Sequence, residues 1–233
     1  SMELSKRLQA VANMVTPGMR LADVGTDHAY IPIYLVEQNR IPGALAMDIN
    51  KGPLERADEN ICAHGLEERI QTRLSDGLKK MDIGETDTMI VAGMGGGLVM
   101  KILEDRRDVA RSLKELILQP QSEIGKVRTY LLENQYRIVA EDMIWEDGKY
   151  YPMMKVIPSN EMEYYLPEEL EYGKFLLAAG HPILKQYLEQ EYQVDQKILD
   201  SLQAQNTERV QKRQREIEEK MKRTKQLLET YFS

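Results

Sequence analysis

Five short apolar runs recur through the first half of the chain, separated by stretches with helical spacing. No other feature restricts the fold as much. "RLADV" (20–24), "ALAMD" (44–48), "IQTRL" (70–74), "TMIVA" (88–92) and "ELIL" (115–118) read as strands. The runs at 44 and 88 are nearly continuous, as expected for strands covered on both faces of a parallel sheet. The intervening helices carry their own punctuation. Pro53 suits a first helical position, Leu54, Ala57 and Ile61 share one face, and Gly65 ends the run. Ser122 suits the cap of a helix carrying Val127, Leu131 and Leu132. Repeated β-α units imply right-handed crossovers and a doubly wound α/β sheet, with ligands at the carboxyl ends of the strands.

The pattern then changes. "YRIVAEDMIW" and "KYYPMMKVI" flank Glu146, Asp147 and Gly148, which predicts an antiparallel hairpin finishing the sheet. From about Leu166 no strand signal remains. A short helix is expected from Pro167 to Gly180 and a second one opening at Pro182, with Leu184, Leu188, Tyr192, Leu199 and Leu202 as buried positions. "AQNT" (204–207) breaks that helix, and Asn206 or Thr207 caps a third. The third helix repeats at 4-3 spacing through Val210, Gln214, Ile217, Met221, Thr224, Leu228 and Tyr231. That period predicts an antiparallel coiled-coil hairpin with the second helix. The expected division is therefore a sheet domain over 1–158 and a helical domain over 159–233.

The 233 residues, 42% of them hydrophobic, are enough for a substantial core. Ser1 before Met2 reads as a cloning scar. No apolar run approaches the roughly 18 residues that span a bilayer, and no secretory signal is visible. The single cysteine, Cys62, has no disulfide partner, which suits a reducing cytoplasm; it is expected as a small buried residue on a helix. A net charge of −7 weighs against nucleic acid as a partner, although Glu208 to Glu229 holds eight basic residues against five acidic ones. No metal-ligand spacing and no nucleophile-histidine arrangement is found.

Polar residues gather at the predicted strand ends. Asp23 and Gly25 follow the first strand, Asp48, Ile49 and Asn50 the second, Asp76 and Gly77 the third, and Gly93, Met94, Gly95 and Gly96 the fourth. Asp48 lies 23 residues after Gly25, about where Rossmann-like proteins hold a ribose diol. A strand-end aspartate alone is as readily a helix cap, but a row of them along one edge implies a ribose and a base. Pyrophosphate needs free N–H groups and no adjacent negative charge. In "DVGTDHAYIP" (23–32), however, Asp27 and Ala29 stand where further glycines are usual, and the Asp27 carboxylate repels an anion. A phosphate-free nucleoside with a positive centre meets no such objection, and S-adenosylmethionine has that character. Asp48 would then accept from the ribose hydroxyls and Asp76 from the adenine amine. Ile49 would pack on the base, and Gly93 would leave room for the methionyl part.

These same segments, "DVGTDHAYIPIYL", "AMDIN", "LSDGL", "IVAGMGGGLV" and "LILQPQ", preceded by "LSKRL" at 4–8, resemble the bacterial tRNA adenine-22 N1-methyltransferases. The resemblance runs over essentially the whole chain. It implies a Rossmann-like class I methyltransferase sheet, S-adenosyl-L-methionine as cofactor, and tRNA as a cytoplasmic partner. It also implies methylation of N1 of an adenine. The fourth motif lacks the Asn/Asp-Pro-Pro-aromatic grip of N6-adenine enzymes.

Adenine N1 carries an in-plane lone pair at neutral pH, so transfer to it needs positioning rather than deprotonation. Asp27 is the candidate catalytic acid, hydrogen-bonding the target amine and steadying developing positive charge, unless it caps the helix beginning near Ala29. His28 and Tyr30 are candidates for contact with the acceptor base, or else turn and rim residues. Lys6 and Arg7 are placed to meet a phosphate or the methionyl carboxylate, or to lie on a solvated face. Arg213 and Lys222, among the basic residues of the last helix, would track tRNA phosphates or form an ordinary coiled-coil surface. A monomer or loose dimer is expected. Three other classes stay open: a NAD-dependent oxidoreductase, a non-enzymatic RNA binder with a cofactor pocket, and a small-molecule methyltransferase.

Overall fold

The computed structural model describes residues 2–233, which divide by packing into one compact unit ending at Glu171 and a second from Tyr172 to Ser233. The first unit carries α1 (Lys6–Asn13), β1 (Leu21–Val24), α2 (Tyr30–Glu37), β2 (Ala44–Asp48), α3 (Lys51–Ala63), β3 (Ile70–Leu74) and β4 (Thr88–Met94). It continues with α4 (Gly96–Asp105), α5 (Arg107–Ser112), β5 (Glu115–Pro120), α6 (Ile124–Glu133), β6 (Tyr136–Glu146), β7 (Lys149–Pro158) and α7 (Pro167–Tyr172). The strands form a single sheet in the order β3-β2-β1-β4-β5-β7-β6. β1 to β5 pair in parallel, while β7 runs antiparallel between β5 and β6.

Alternation along each strand feeds two cores. Ala22, Val24, Met89, Val91, Leu116 and Leu118 pack with Val99, Leu103, Val127 and Leu131 from α4 and α6. Leu21, Ala46, Ile90 and Ile117 face the other way, onto Val11, Ile33, Leu35, Ala57 and Ile61 from α1 to α3. The predicted hairpin turns through Asp147 (φ 52°) and Gly148 (φ 77°) between the paired residues Glu146 and Lys149. Two successive positive φ values match the strand twist and make this tight loop. β5 meets β7 only over Leu116–Leu118, so the hairpin from about Met143 to Pro152 continues past that pairing toward the carboxyl edge of the sheet.

Several local expectations are corrected. α3 starts at Lys51, with Asn50 at its N-cap, so Pro53 sits inside the first turn rather than opening it. Cys62 is exposed, because it is one residue, about 100° of helix, beyond the buried Leu54–Ala57–Ile61 stripe. Its thiol is pushed up by a hydrogen bond with Glu67. Ser122 does not cap α6, whose N-cap is Glu123 in a left-handed conformation (φ 50°). Its hydroxyl instead accepts the Gly96 N–H at 3.2 Å, since a β-carbon on Gly96 would collide with the Ser122 carbonyl. The single helix expected from Pro167 to Gly180 is two short ones, α7 and α8 (Lys174–Ala178), broken at Gly173 (φ 101°).

Residues 159–171 pack with the sheet unit. Tyr165 enters its core, and the Leu170 and Glu171 carbonyls accept from Arg128 at 2.8 and 3.0 Å. Arg128 also pairs with Glu141 at 2.9 Å, and the two side chains are only 1% and 0% exposed.

The second unit adds α9 (Pro182–Leu202) and α10 (Glu208–Tyr231). Thr207 caps α10, accepting from the Val210 N–H at 3.2 Å. Gln214 donates to the Leu202 carbonyl, and Lys220 reaches back to Glu191 and Asp195, so the two helices run antiparallel. All seven predicted 4-3 positions of α10 are buried or half-buried. Unforeseen was Asp195, buried in α9 and paired with Lys220 at 3.3 Å. Among the described residues no helix is long and apolar enough to cross a membrane.

Candidate active site

The sheet reverses its winding between β1 and β4, and at such a switch point a crevice opens beyond the strand ends. A small cleft of about 30 Å³ lies there, lined by Arg7, Leu8, Asp23, Gly25, Asp27, Ile31 and Ala92. Gly25 turns the chain out of β1 with φ 76°, and a β-carbon on it would run into the Met94 methyl. The Gly25 and Thr26 N–H groups both donate to the Met47 carbonyl at 2.9 Å. Two donors that would cradle a phosphate are therefore already committed to β2.

Three aspartates surround this turn. Asp23 is buried, and its carboxylate accepts from the Thr26 hydroxyl at 2.8 Å. Burial raises its pKa to about 7; the Thr26 bond opposes that shift, and the negative charges of Asp27 and Asp48 add to it. Asp27 is exposed, with its carboxylate 3.9 Å from His28 Nε2. Its side chain does not cap α2, whose N-cap is Ala29 with no side-chain bond. The Asp27 backbone carbonyl takes the Tyr30 N–H instead. His28 and Ala29 both adopt left-handed φ values (53° and 57°), an uncommon pair for residues with side chains. Asn60 on α3 supports that bend by donating to the His28 carbonyl at 2.8 Å. The His28 ring stacks on Tyr30 with centroids 5.0 Å apart, so one face of Tyr30 is covered.

Across the cleft stands a cation. Arg7 Nη1 donates to Gln119 Oε1 at 3.1 Å and lies 3.3 Å from where a β-carbon on Gly93 would be. The same Gln119 oxygen accepts the Gly93 N–H at 3.0 Å, at the irregularity where β4 breaks register with β5. The Arg7 guanidinium also lies over the Tyr151 ring, 5.6 Å from its centroid.

Along the same edge, Asp48 accepts the Asn50 N–H at 2.9 Å, and Ile49 between them is 57% exposed, unusual for a large apolar side chain. Asn50 makes no side-chain cap bond, so its amide is not spent on α3. Asp76 and Gly77 follow β3. Lys79, 3.0 Å from the Asp76 carboxylate, holds its pKa below the usual range. Gly77 (φ 58°) packs against Ile102, and Met94 closes β4. Arg213 and Lys222 are exposed on α10 in the second unit; Arg213 sits 3.8 Å from Glu216. The other histidines serve locally: His64 pairs with Glu37, and His181 Nδ1 accepts the Ile183 N–H at the start of α9. Among the described residues no His, Cys, Asp and Glu cluster is fit to hold a metal ion.

The methyltransferase domain family matches residues 4–154. A Bacillus subtilis tRNA (adenine(22)-N(1))-methyltransferase is 33% identical over 98% of both chains. The chain belongs to this methyltransferase family. Among solved structures, a Streptococcus pneumoniae protein in complex with S-adenosyl-L-methionine superposes with TM-score 0.85 at 32% identity, over 97% of this chain and 100% of that one. Mycoplasma capricolum TrmK in complex with S-adenosyl-homocysteine gives TM-score 0.83 at 28% identity, over 98% and 99% of the two chains.

Within this methyltransferase the strand-end residues foreseen from sequence share one edge, and Arg7 joins them from the N-terminal helix. Thr26, Gln119 and Glu146 were not foreseen. The motif "LILQPQ" contains Gln119, but nothing in its spacing announces a buried amide beneath Gly93.

Proposed function

We propose that this chain is a tRNA adenine N1-methyltransferase acting in the cytoplasm on the position corresponding to adenine 22 of its relatives' substrates. The observation that carries the cofactor assignment is the charge pattern of the cleft. The carboxylates of Asp27 and Asp48 lie near one side above the buried Asp23, Arg7 stands on the other, and the turn's N–H groups are already taken. A ligand with a positive centre and a carboxylate tail fits this distribution, and a pyrophosphate does not. S-adenosylmethionine supplies an electrophilic methyl group when bound.

Asp48 accepts from the ribose hydroxyls, Ile49 and Asn50 flank the base, and Asp76 with Gly77 bounds the adenine end. Asp23 and Gly25 shape the floor, Gly93 and Met94 line the β4 side, and Arg7 receives the methionyl carboxylate. Asp27, exposed at the mouth, accepts from the acceptor adenine's amine and stabilises the positive charge that appears as N1 forms its new bond. No base is needed before transfer, because the N1 lone pair is already free. Tyr30, backed by His28, offers its open face to the flipped base. Arg213 and Lys222 on α10 meet tRNA phosphates.

Incubation with labelled S-adenosylmethionine and bulk tRNA, followed by nuclease digestion, is expected to yield labelled 1-methyladenosine. Label in N6-methyladenosine, or in no tRNA fraction, would overturn the assignment. Asp27→Asn should bind S-adenosylhomocysteine normally while turnover falls by about 10²- to 10³-fold; normal turnover would remove Asp27 from the chemistry.

A further inference from the structure

The tip of the β6–β7 hairpin is tied to the N-terminus of α1 by one side chain. Glu146, the last residue of β6, accepts the Lys6 N–H on Oε2 at 2.8 Å and the Arg7 N–H on Oε1 at 3.2 Å. Ser5 takes the Leu8 N–H at 3.2 Å. The first three N–H groups of α1 therefore have acceptors, one of them a carboxylate from 139 to 140 residues away in the chain. A carboxylate is favoured at a helix N-terminus, where unpaired N–H groups concentrate positive charge.

That tie has a consequence for the cleft. Arg7 is one of the two residues whose backbone Glu146 grips, and its guanidinium reaches over Tyr151 of β7 to Gln119 and Gly93. The same hairpin thus holds Arg7 twice, by its main chain through β6 and by its side chain through β7. We infer that Glu146 is a positioning residue for the cofactor site: it fixes the start of α1 so that Arg7 presents its guanidinium to the cofactor's carboxylate. This rests on the cleft being the S-adenosylmethionine site, and it assigns the hairpin a role in cofactor recognition besides closing the sheet.

The test compares S-adenosylhomocysteine with 5′-methylthioadenosine, which keeps the nucleoside but has no amino-acid tail. Wild-type protein is expected to prefer S-adenosylhomocysteine. Glu146→Ala should reduce that preference about tenfold by weakening S-adenosylhomocysteine alone, with the affinity for 5′-methylthioadenosine unchanged. Glu146→Gln, which keeps one acceptor oxygen and protects the fold, should restore part of the preference. In an Arg7→Ala background, Glu146→Ala should change neither affinity further, because the route through Arg7 is already cut. An equal loss for both nucleosides would make Glu146 a mere support of α1, and an unchanged preference would remove it from recognition altogether; either result overturns the inference. Wild-type protein that bound neither nucleoside would overturn the methyltransferase assignment itself.

Discussion

Asp23 offers the sharpest quantitative test of the cleft's electrostatics. The residue is 5% exposed, and burial raises its pKa from 3.8 to about 7. Between those values the folded protein holds a proton that the unfolded chain has released, so stability falls as pH rises through that window and levels off above it. At about 1.4 kcal/mol per unit of separation, the raised pKa of Asp23 costs the fold about 2 kcal/mol at pH 5.5 and about 4 kcal/mol at pH 8. Asp23→Asn removes the ionisation and keeps an oxygen to accept the Thr26 hydroxyl. Relative to wild type it should therefore gain about 2 kcal/mol between pH 5.5 and pH 8. Urea denaturation at the two pH values, with matching m-values, measures this directly. A wild-type–variant difference identical at both pH values would refute the desolvation account.

The remaining predictions concern binding and the fold. Asp48→Ala should weaken S-adenosylhomocysteine binding by about ten- to hundredfold, as expected for losing a hydrogen bond to a charged group; calorimetry with unchanged affinity would move the ribose elsewhere. Arg128→Met removes the buried ion pair with Glu141 and the donor to the Leu170 and Glu171 carbonyls and should cost about 3–5 kcal/mol in urea denaturation; a loss below about 1 kcal/mol would refute a stabilising role for the pair. Arg213→Ala with Lys222→Ala should weaken tRNA binding and flatten its dependence on salt by about one to two units of log–log slope; an unaltered slope would free these residues from phosphate contact.

How much of this was legible beforehand depended on the range of the interaction. β2 and β3 appear at their predicted bounds, because burial on one or both faces writes its period into five consecutive residues. The seam of α10 was readable for the same reason. Cys62 shows the limit of such local inference: one residue's rotation on α3 separates it from the buried stripe. Gly173 shows another, since its left-handed φ cuts a helix whose hydrophobic spacing continues across it.

By itself the sequence determined the β-α alternation, the row of polar residues at the strand ends and the unsuitability of the first turn for phosphate, since each resides in neighbouring residues and their charges. Tertiary structure decided what those residues became. Arg7 reached Gly93 only because the sheet order and the β6–β7 hairpin bring α1 to the end of β4. Asp23 acquired its raised pKa only once the surrounding core removed its water. Side-chain period records which face of an element is buried, but not what is brought against it, and desolvation belongs to the assembled neighbourhood.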